Sequence, residues 1–322
     1  MKIVIPGGTG QVGTVLARAF SRDGHDVTVL SRSAAQGEQW RVVRWDATTL
    51  GAWTAELEGA DAVINLAGRS VDCRYTRANR QLIRDSRVNS THVVGAAIAQ
   101  CRRAPRVWLQ ASTATIYAHR FDAPNDEATG ILGGSEPGAP DTWRFSIDVA
   151  QAWERAANAS KVEHTRKVLL RSAITLNPDP GSAFTILLRM VRMGLGGRAA
   201  SGRQYVSWIH EADFVRAVYW LIGNDSIHGP VNLASPNPVP NDEFMRTLRE
   251  AWGTAVGLPS PAWLLEMGAV VIRTETELLL KSRRVIPGIL LDRGFAFEFS
   301  TWREAAKDLC LRWRELNDRS PK

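Results

Sequence analysis

The chain has 322 residues, about twice a typical ~150-residue domain, which leaves room for two domains or for one large α/β domain with an appended lobe. Hydrophobic residues make up 44% and charged residues 23%, a globular balance that excludes global disorder. Forty basic against thirty-three acidic side chains give +7, with only six lysines among the forty; arginine suits phosphate forks, but net charge alone speaks to solubility and partners rather than to fold.

The opening MKIVIPGG lacks the charged, apolar and small-residue succession of a signal peptide, so a cytoplasmic location is expected. Up to residue 112, short β-branched runs alternate with longer helical periods, the pattern of βαβ units on a parallel sheet. Residues 3–5, 27–30, 42–44, 62–66 and 107–110 read as strands, and 11–21, 50–57 and 76–100 as helices. Residues 118–141, rich in Gly, Pro, Asp and Asn, form a loop too long for a connector and are a candidate active-site or lid segment. A helix over 142–160 and a strand over 168–171 follow, then a helix over 183–193, a Gly-rich turn at 194–197 and a strand near 205–209. A helix over 213–222 and a strand over 230–233 return to the main sheet, and Pro236, Pro238 and Pro240 lead into a helical tail. The longest apolar stretches are interrupted by Glu266 or Arg273, so no membrane span is expected. Cys73, Cys101 and Cys310 are too widely spaced for a disulfide framework or a zinc site, and no metal is expected.

Gly7, Gly8, Thr9, Gly10 and Gly13 lie in GGTGQVG between the first strand and the first helix, with Gln11 and Val12 opening the helix. Glycines at this spacing permit a tight turn, let backbone amides approach a pyrophosphate and let helix and strand pack closely, while the helix N-terminus faces the anion. The second strand ends in Val29, Leu30, Ser31, Arg32, Ser33, with no carboxylate to take a ribose 2′-hydroxyl. Arg32 between two hydroxyls suits a 2′-phosphate instead, hence NADP; the alternative is a solvated surface arginine.

These residues resemble the short-chain dehydrogenase/reductase superfamily, in its extended and atypical NAD-dependent epimerase/dehydratase branch. Further matching segments are NLAG at 65–68, SRVNSTH around Asn89, STATIY at 112–117, GRQYVSWIHEADFVRA from Gly202 and GPVNLASPNPVPNDEF from Gly229. Together with the tail RRVIPGILLDRGFAFEF they are similar to the "epimerase family" subgroup that carries a small helical C-terminal domain of unknown function. The resemblance implies a Rossmann-type doubly wound parallel sheet over 1–175 and 205–235, with 176–204 and 236–322 forming a smaller, mostly helical substrate lobe. It also implies cofactor contacts from Gly7, Gly10, Gln11, Val12, Gly13, Ser31, Arg32, Asp46, Leu66, Ala67, Gly68 and Asn89, the cofactor being NADP (NADPH).

The superfamily's proton chemistry uses a Tyr with a Lys four residues later, the cation lowering the phenol's pKa. Here the tyrosines are Tyr75, Tyr117, Tyr205 and Tyr219, followed at that distance by Asn79, Phe121, Ile209 and Gly223. No such pair exists, and in the expected helix Phe145 and Val149 hold the two positions. Thr113 matches the position of the carbonyl-orienting hydroxyl, or else makes a local backbone bond. Tyr117, at the carboxyl end of the fifth strand, is the first candidate proton donor, and His210 the second; a structural Tyr and a helix-entry His packed beside Trp208 are the plainer accounts. His119, Asp122, Asp126 and Glu127 are further titratable groups expected to be solvated. Arg77, Arg80, Arg84 and Arg87 make a basic stripe at helical spacing, either a solvated face or an anion or nucleic-acid contact.

The expectation is an NADP(H)-dependent oxidoreductase or epimerase-like enzyme acting on a small carbonyl or nucleotide-sugar-like substrate, as a monomer or homodimer without nucleic-acid partners. The alternative is an NADP(H) sensor that kept the fold and lost the chemistry.

Overall fold

The computed structural model describes residues 1–33, 39–261 and 277–318. Seven parallel strands form its main sheet: β1 (Lys2–Pro6), β2 (Asp26–Ser31), β3 (Arg41–Arg44), β4 (Ala62–Asn65), β5 (Val107–Thr113), β6 (Arg166–Ser172) and, much later, the strand Gly229–Leu233. Their spatial order is 229–233, β6, β5, β4, β1, β2, β3, so the direction of winding reverses between β1 and β4. In open α/β sheets the crevice at that reversal, beyond the carboxyl ends of the strands, is where ligands bind. Strands buried on both faces need continuous apolar runs, and β1 and β4 supply them with Ile3, Val4, Ile5, Ala62, Val63 and Ile64, all fully buried.

Helix α1 (Gln11–Arg22) lays Leu16, Ala17 and Phe20 against one face of the sheet. On the other face lies the 24-residue α2 (Arg77–Gln100), beginning at Thr76, whose hydroxyl accepts from Asn79 N–H. Beside it runs α3 (Asp141–Ala159). The segment expected as a helix at 50–57 is a 3₁₀ turn over Ala52–Leu57, fixed by Trp53, whose ring meets Trp45 edge-on at 5.2 Å.

Residues 205–210 depart from expectation. They stay out of the main sheet: Ile174–Leu176 (β7) pairs with Trp208–His210 (β9), and Tyr205–Val206 (β8) pairs with Val239–Pro240 (β11). Between these lie α4 (Ala183–Arg192), α5 (Glu211–Gly223) and the seventh main strand, β10 (Gly229–Leu233). After α6 (Asn241–Trp252) come α7 (Glu277–Leu280), α8 (Gly288–Asp292) and α9 (Trp302–Asp318). A separate apolar core joins α4, α6 and α9 through Phe184, Leu188, Phe244, Leu248, Trp302 and Leu309. Among the described residues no helix is long and apolar enough to cross a membrane.

Candidate functional site

The first cleft opens at the switch point. Gly7 takes φ +77°, and a Cβ there would sit 2.6 Å from Ala67 Cα; at Gly13 a Cβ would meet Gly8 Cα at 2.5 Å. These two glycines pack backbone on backbone. Gly10 differs: φ is −78°, and a Cβ would touch only Gly7 O at 3.8 Å, so the space above it faces the cleft rather than protein. As N-cap of α1, Gly10 brings no side chain to the helix's first amides. The cavity, of about 260 Å³, is lined by Gly7, Thr9, Gly10, Ser31, Arg32, Ser33, Leu66, Ala67 and Gly68 among others. Buried Asn65 shapes its far rim, accepting from Ala67 N–H at 3.1 Å and donating to Gln110 Oε1 at 2.9 Å.

Other expected cofactor residues stand apart from this cavity. Gln11 Nε2 donates to Pro180 O at 3.0 Å, tying α1 to the loop ahead of α4, and Val12 packs on the main core. Asn89 is exposed on α2. Asp46 accepts from Thr48 and Thr49 N–H at 2.8 Å each, which folds its own turn and holds its carboxyl well below the usual carboxylate range. Its neighbours Trp45 and Ala47 line the cavity in its place.

A second, smaller cavity of about 150 Å³ lies beside the first, lined by Thr113, Phe145, Ser146, Val149, Tyr75, Arg87, Trp153, Glu277 and Arg283 among others. Arg87 forms part of the partition: its Nη1 donates to the carbonyls of Ile83 and Arg69, and Arg69 lines the first cavity. Thr113 closes β5 and accepts from Thr115 N–H at 3.2 Å. Tyr75, which precedes α2, meets the Phe145 ring edge-on at 5.0 Å. Ser146 Oγ lies 3.5 Å from Tyr75 Oη and donates to Glu277 Oε2. Burial, with the Glu277 carboxylate nearby, pushes the Tyr75 phenol up to about 12.

The chamber's far wall comes from the C-terminal part of the chain. Arg283 pairs with Glu277 at 3.1 Å, and its Nε donates to Thr115 Oγ1 at 3.2 Å. Lys281, only 2% exposed, donates to Thr115 O at 2.7 Å, and burial beside Arg283 pushes its ammonium down to about 8. Ser282 N–H donates to His119 Nδ1, and Asn125 exchanges backbone bonds with Arg284 and Ile286. The loop expected to be an active-site or lid segment is thus stitched to residues 281–286. Of the other titratable loop groups, Asp122 pairs with Arg120, Asp126 accepts from Thr129, and Glu127 accepts from Asn232 N–H.

Neither expected proton donor reaches the chamber. Tyr117 is 2% exposed; its hydroxyl donates to Asn232 Oδ1 at 3.0 Å and accepts from Arg171 Nη1 at 2.9 Å. Arg171 in turn forks onto Glu154 at 2.8 Å, which accepts from Ser112, so the phenol belongs to a buried network whose members satisfy one another. His210 is 1% exposed, caps α5 by accepting Ala212 N–H at Nδ1, and points Nε2 at Asp308 of α9 at 3.0 Å, with Phe299 stacked on its ring at 3.9 Å. Both ring nitrogens are committed, so the histidine joins two helices instead of facing a substrate. Thr113 alone of the three lines the chamber, while Tyr75, Ser146, Glu277 and Arg283 are not singled out by the sequence. Tyr75 is visible there as one of four tyrosines, but a search for Lys four residues on passes over it.

Comparison with known proteins agrees with this geometry. The profile of the NAD dependent epimerase/dehydratase family matches residues 3–234, and that of a domain of unknown function, DUF1731, matches residues 260–309. The chain is 29% identical over 312 residues to the epimerase family protein SDR39U1 of Homo sapiens, covering 96% of this chain and 99% of that protein. It is 33% identical over 314 residues to the epimerase family protein Mb2239 of Mycobacterium bovis, covering 94% and 95%. The crystal structure of human SDR39U1 (isoform 2) with NADPH superposes with a TM-score of 0.83 at 28% identity, over 97% of this chain and 99% of that one. With the profile spanning most of its length, and with the glycine turn and parallel sheet in place, the chain belongs to the NAD dependent epimerase/dehydratase family.

Proposed function

We propose that the protein is an NADP(H)-dependent oxidoreductase of small carbonyl compounds, with the dinucleotide in the glycine-lined cleft and the substrate in the chamber beside it. The observation that carries this reading is Gly10, whose missing side chain leaves space at the helix N-terminus that nothing in the protein fills. Arg32, Ser31 and Ser33 at the same cavity supply donors for a 2′-phosphate. A relative 28% identical was crystallised with NADPH, which favours the same cofactor here. Bound NADPH would supply the hydride.

The chain's own residues would handle the oxygen and the proton. Thr113 presents a hydroxyl that orients the carbonyl, and Tyr75, held protonated by burial, gives its proton to the carbonyl oxygen as negative charge develops there. Ser146 Oγ, 3.5 Å from that phenol, steadies the phenolate left behind, which regains its proton from water that enters through the adjoining cleft between α2 and α3. Phe145 and Val149 exclude water and take no part in proton transfer.

Two measurements test the proposal. Gly10→Val keeps an allowed φ and meets no protein atom closer than 3.8 Å at its Cβ, so the variant folds, yet calorimetry should find NADPH binding lost. Arg32→Ala should weaken NADPH by roughly ten- to a hundredfold, the worth of a charge-assisted pair, and leave NADH nearly unchanged. A catalytically silent sensor is the second reading, favoured by the hydrocarbon at Phe145 and Val149. It prevails if NADPH binds tightly and no carbonyl in a broad panel oxidises it.

A further inference from the structure

Among the described residues, the inner chamber is lined by two guanidiniums and one carboxylate. Arg87 spends Nη1 on two backbone carbonyls, and among the described residues no carboxylate lies within ion-pair distance of it. Its guanidinium lies 5.0 Å from the centre of the Trp153 ring. Trp153 also lines the chamber, is 6% exposed, and has an Nε1–H with no hydrogen-bond partner among the described residues. A buried indole donor without an acceptor is costly, and the half-buried guanidinium beside it has no anion among the described residues. Burial pushes Arg87 down to about 10, which still leaves it charged at neutral pH. On the opposite wall Arg283 adds a second guanidinium, and among the described residues Glu277 is the one carboxylate lining the chamber.

The approach has the same sign. A 590 Å³ cleft between α2 and α3 shares Tyr75, Phe145 and Val149 with the chamber. Its described lining holds Arg77, Arg80, Arg84 and Arg155 against the single carboxylate Asp148, and of these four only Arg80 has a carboxylate partner among the described residues, Asp141. Arg77, Arg80, Arg84 and Arg87 therefore run as one stripe down α2 from the mouth to the inner wall, an arrangement that draws anions inward.

The geometry points to a substrate that is a compact organic acid, its carboxylate or phosphate held by Arg87 and Trp153 Nε1 in the chamber. This rests on the chamber being the substrate site, as proposed above, and adds the chemical class. At about 150 Å³ the chamber has the volume of a cavity that accepts a benzene-sized molecule, so the acidic group and the reacting carbonyl are separated by very few bonds. The larger, diphosphate-linked part of a nucleotide sugar does not fit inside it.

Calorimetric titration of the NADP⁺-loaded protein with glycolate, with methyl phosphate and with neutral ethylene glycol tests the assignment without turnover. One or both anions should bind and the diol should not; the better of the two anions tells carboxylate from phosphate. Arg87→Met, which keeps the stem over Trp153, should weaken the anion at least tenfold while unfolding cooperatively. If that variant does not fold, Arg87→Lys and Trp153→Phe serve, each with a smaller loss. Absence of anion binding overturns the inference, as does binding that persists in folded Arg87→Met but vanishes in Arg77→Gln/Arg84→Gln, which would place the anion in the outer cleft. Anion binding without any NADPH oxidation sinks the oxidoreductase reading and keeps this one; oxidation by neutral carbonyls without anion binding does the reverse.

Discussion

Two buried tyrosines in this protein have contrasting surroundings, one at the edge of a cavity and one inside a closed hydrogen-bond network. Tyr75 faces a cavity with Ser146 beside it, whereas Tyr117 is enclosed by Arg171 and Asn232. Tyr75→Phe should lower kcat by about 10² to 10⁴, the usual worth of general acid help, in single-turnover oxidation of NADPH by whichever carbonyl a screen yields. The phenol stays protonated to about pH 12, so the parent's donor should show no loss of rate between about pH 6 and 10. Tyr117→Phe should leave the chemical step nearly intact and cost roughly 1–3 kcal/mol in denaturant unfolding, because Arg171 Nη1 and Asn232 Oδ1 both lose a buried partner. An unchanged rate in Tyr75→Phe would remove it as the donor.

At the scale of elements, the segment 281–286 bonds to the loop that follows β5 and so sets Arg283 in the chamber's wall. Lys281 gives that contact a pH signature. Its ammonium titrates at about 8 in the folded chain and at about 10.4 when unfolded, so the unfolded state binds the extra proton between those values and stability rises with pH through that window. Below that window the buried charge costs on the order of 3 kcal/mol relative to a neutral group, since each tenfold change in proton affinity is worth about 1.4 kcal/mol. Lys281→Met should flatten the rise in unfolding free energy between about pH 8 and 10; an equal slope in both proteins would refute the assignment. The same element explains what the sequence left hidden. Gly7, Gly10 and Gly13 could be read because their spacing is local and its physical demand, backbone approach, is set by residue type alone. Arg77 to Arg87 could be read as a stripe, but its meaning came from α3, which sets Arg155 and Trp153 opposite it. Tyr75, Ser146 and Glu277 sit in three distant segments, and no periodicity or spacing links them. His210 and Tyr117 misled because a titratable side chain near a strand end looks alike in sequence whether it faces a cleft or an Asp308 or Arg171.

Across the whole molecule, the helical lobe joins the core of the main sheet through Leu290 and Phe295, which pack with Val231 and Leu233, and it has a second core of its own with the small β7–β9 sheet. Trp302 of α9 stacks on Phe244 at 4.1 Å, lies 5.3 Å from Trp208 of β9 and donates its Nε1–H to Phe244 O at 2.8 Å. Trp302→Ala should cost about 3–5 kcal/mol, and the parent should unfold in one transition by both fluorescence and circular dichroism; two resolved transitions would show the lobe to be independent. The wall formed by Glu277 and Arg283 also imposes an order on the protein's birth. Every described residue that lines the glycine-rich cleft lies between Gly7 and Ser86, while the chamber waits for Arg283. At about 5–20 residues per second, a ribosome needs roughly 10 to 40 s to cover that interval. A nascent or C-terminally clipped chain therefore lacks the place where a substrate would be held, and any cofactor it captured would have nothing beside it to react with.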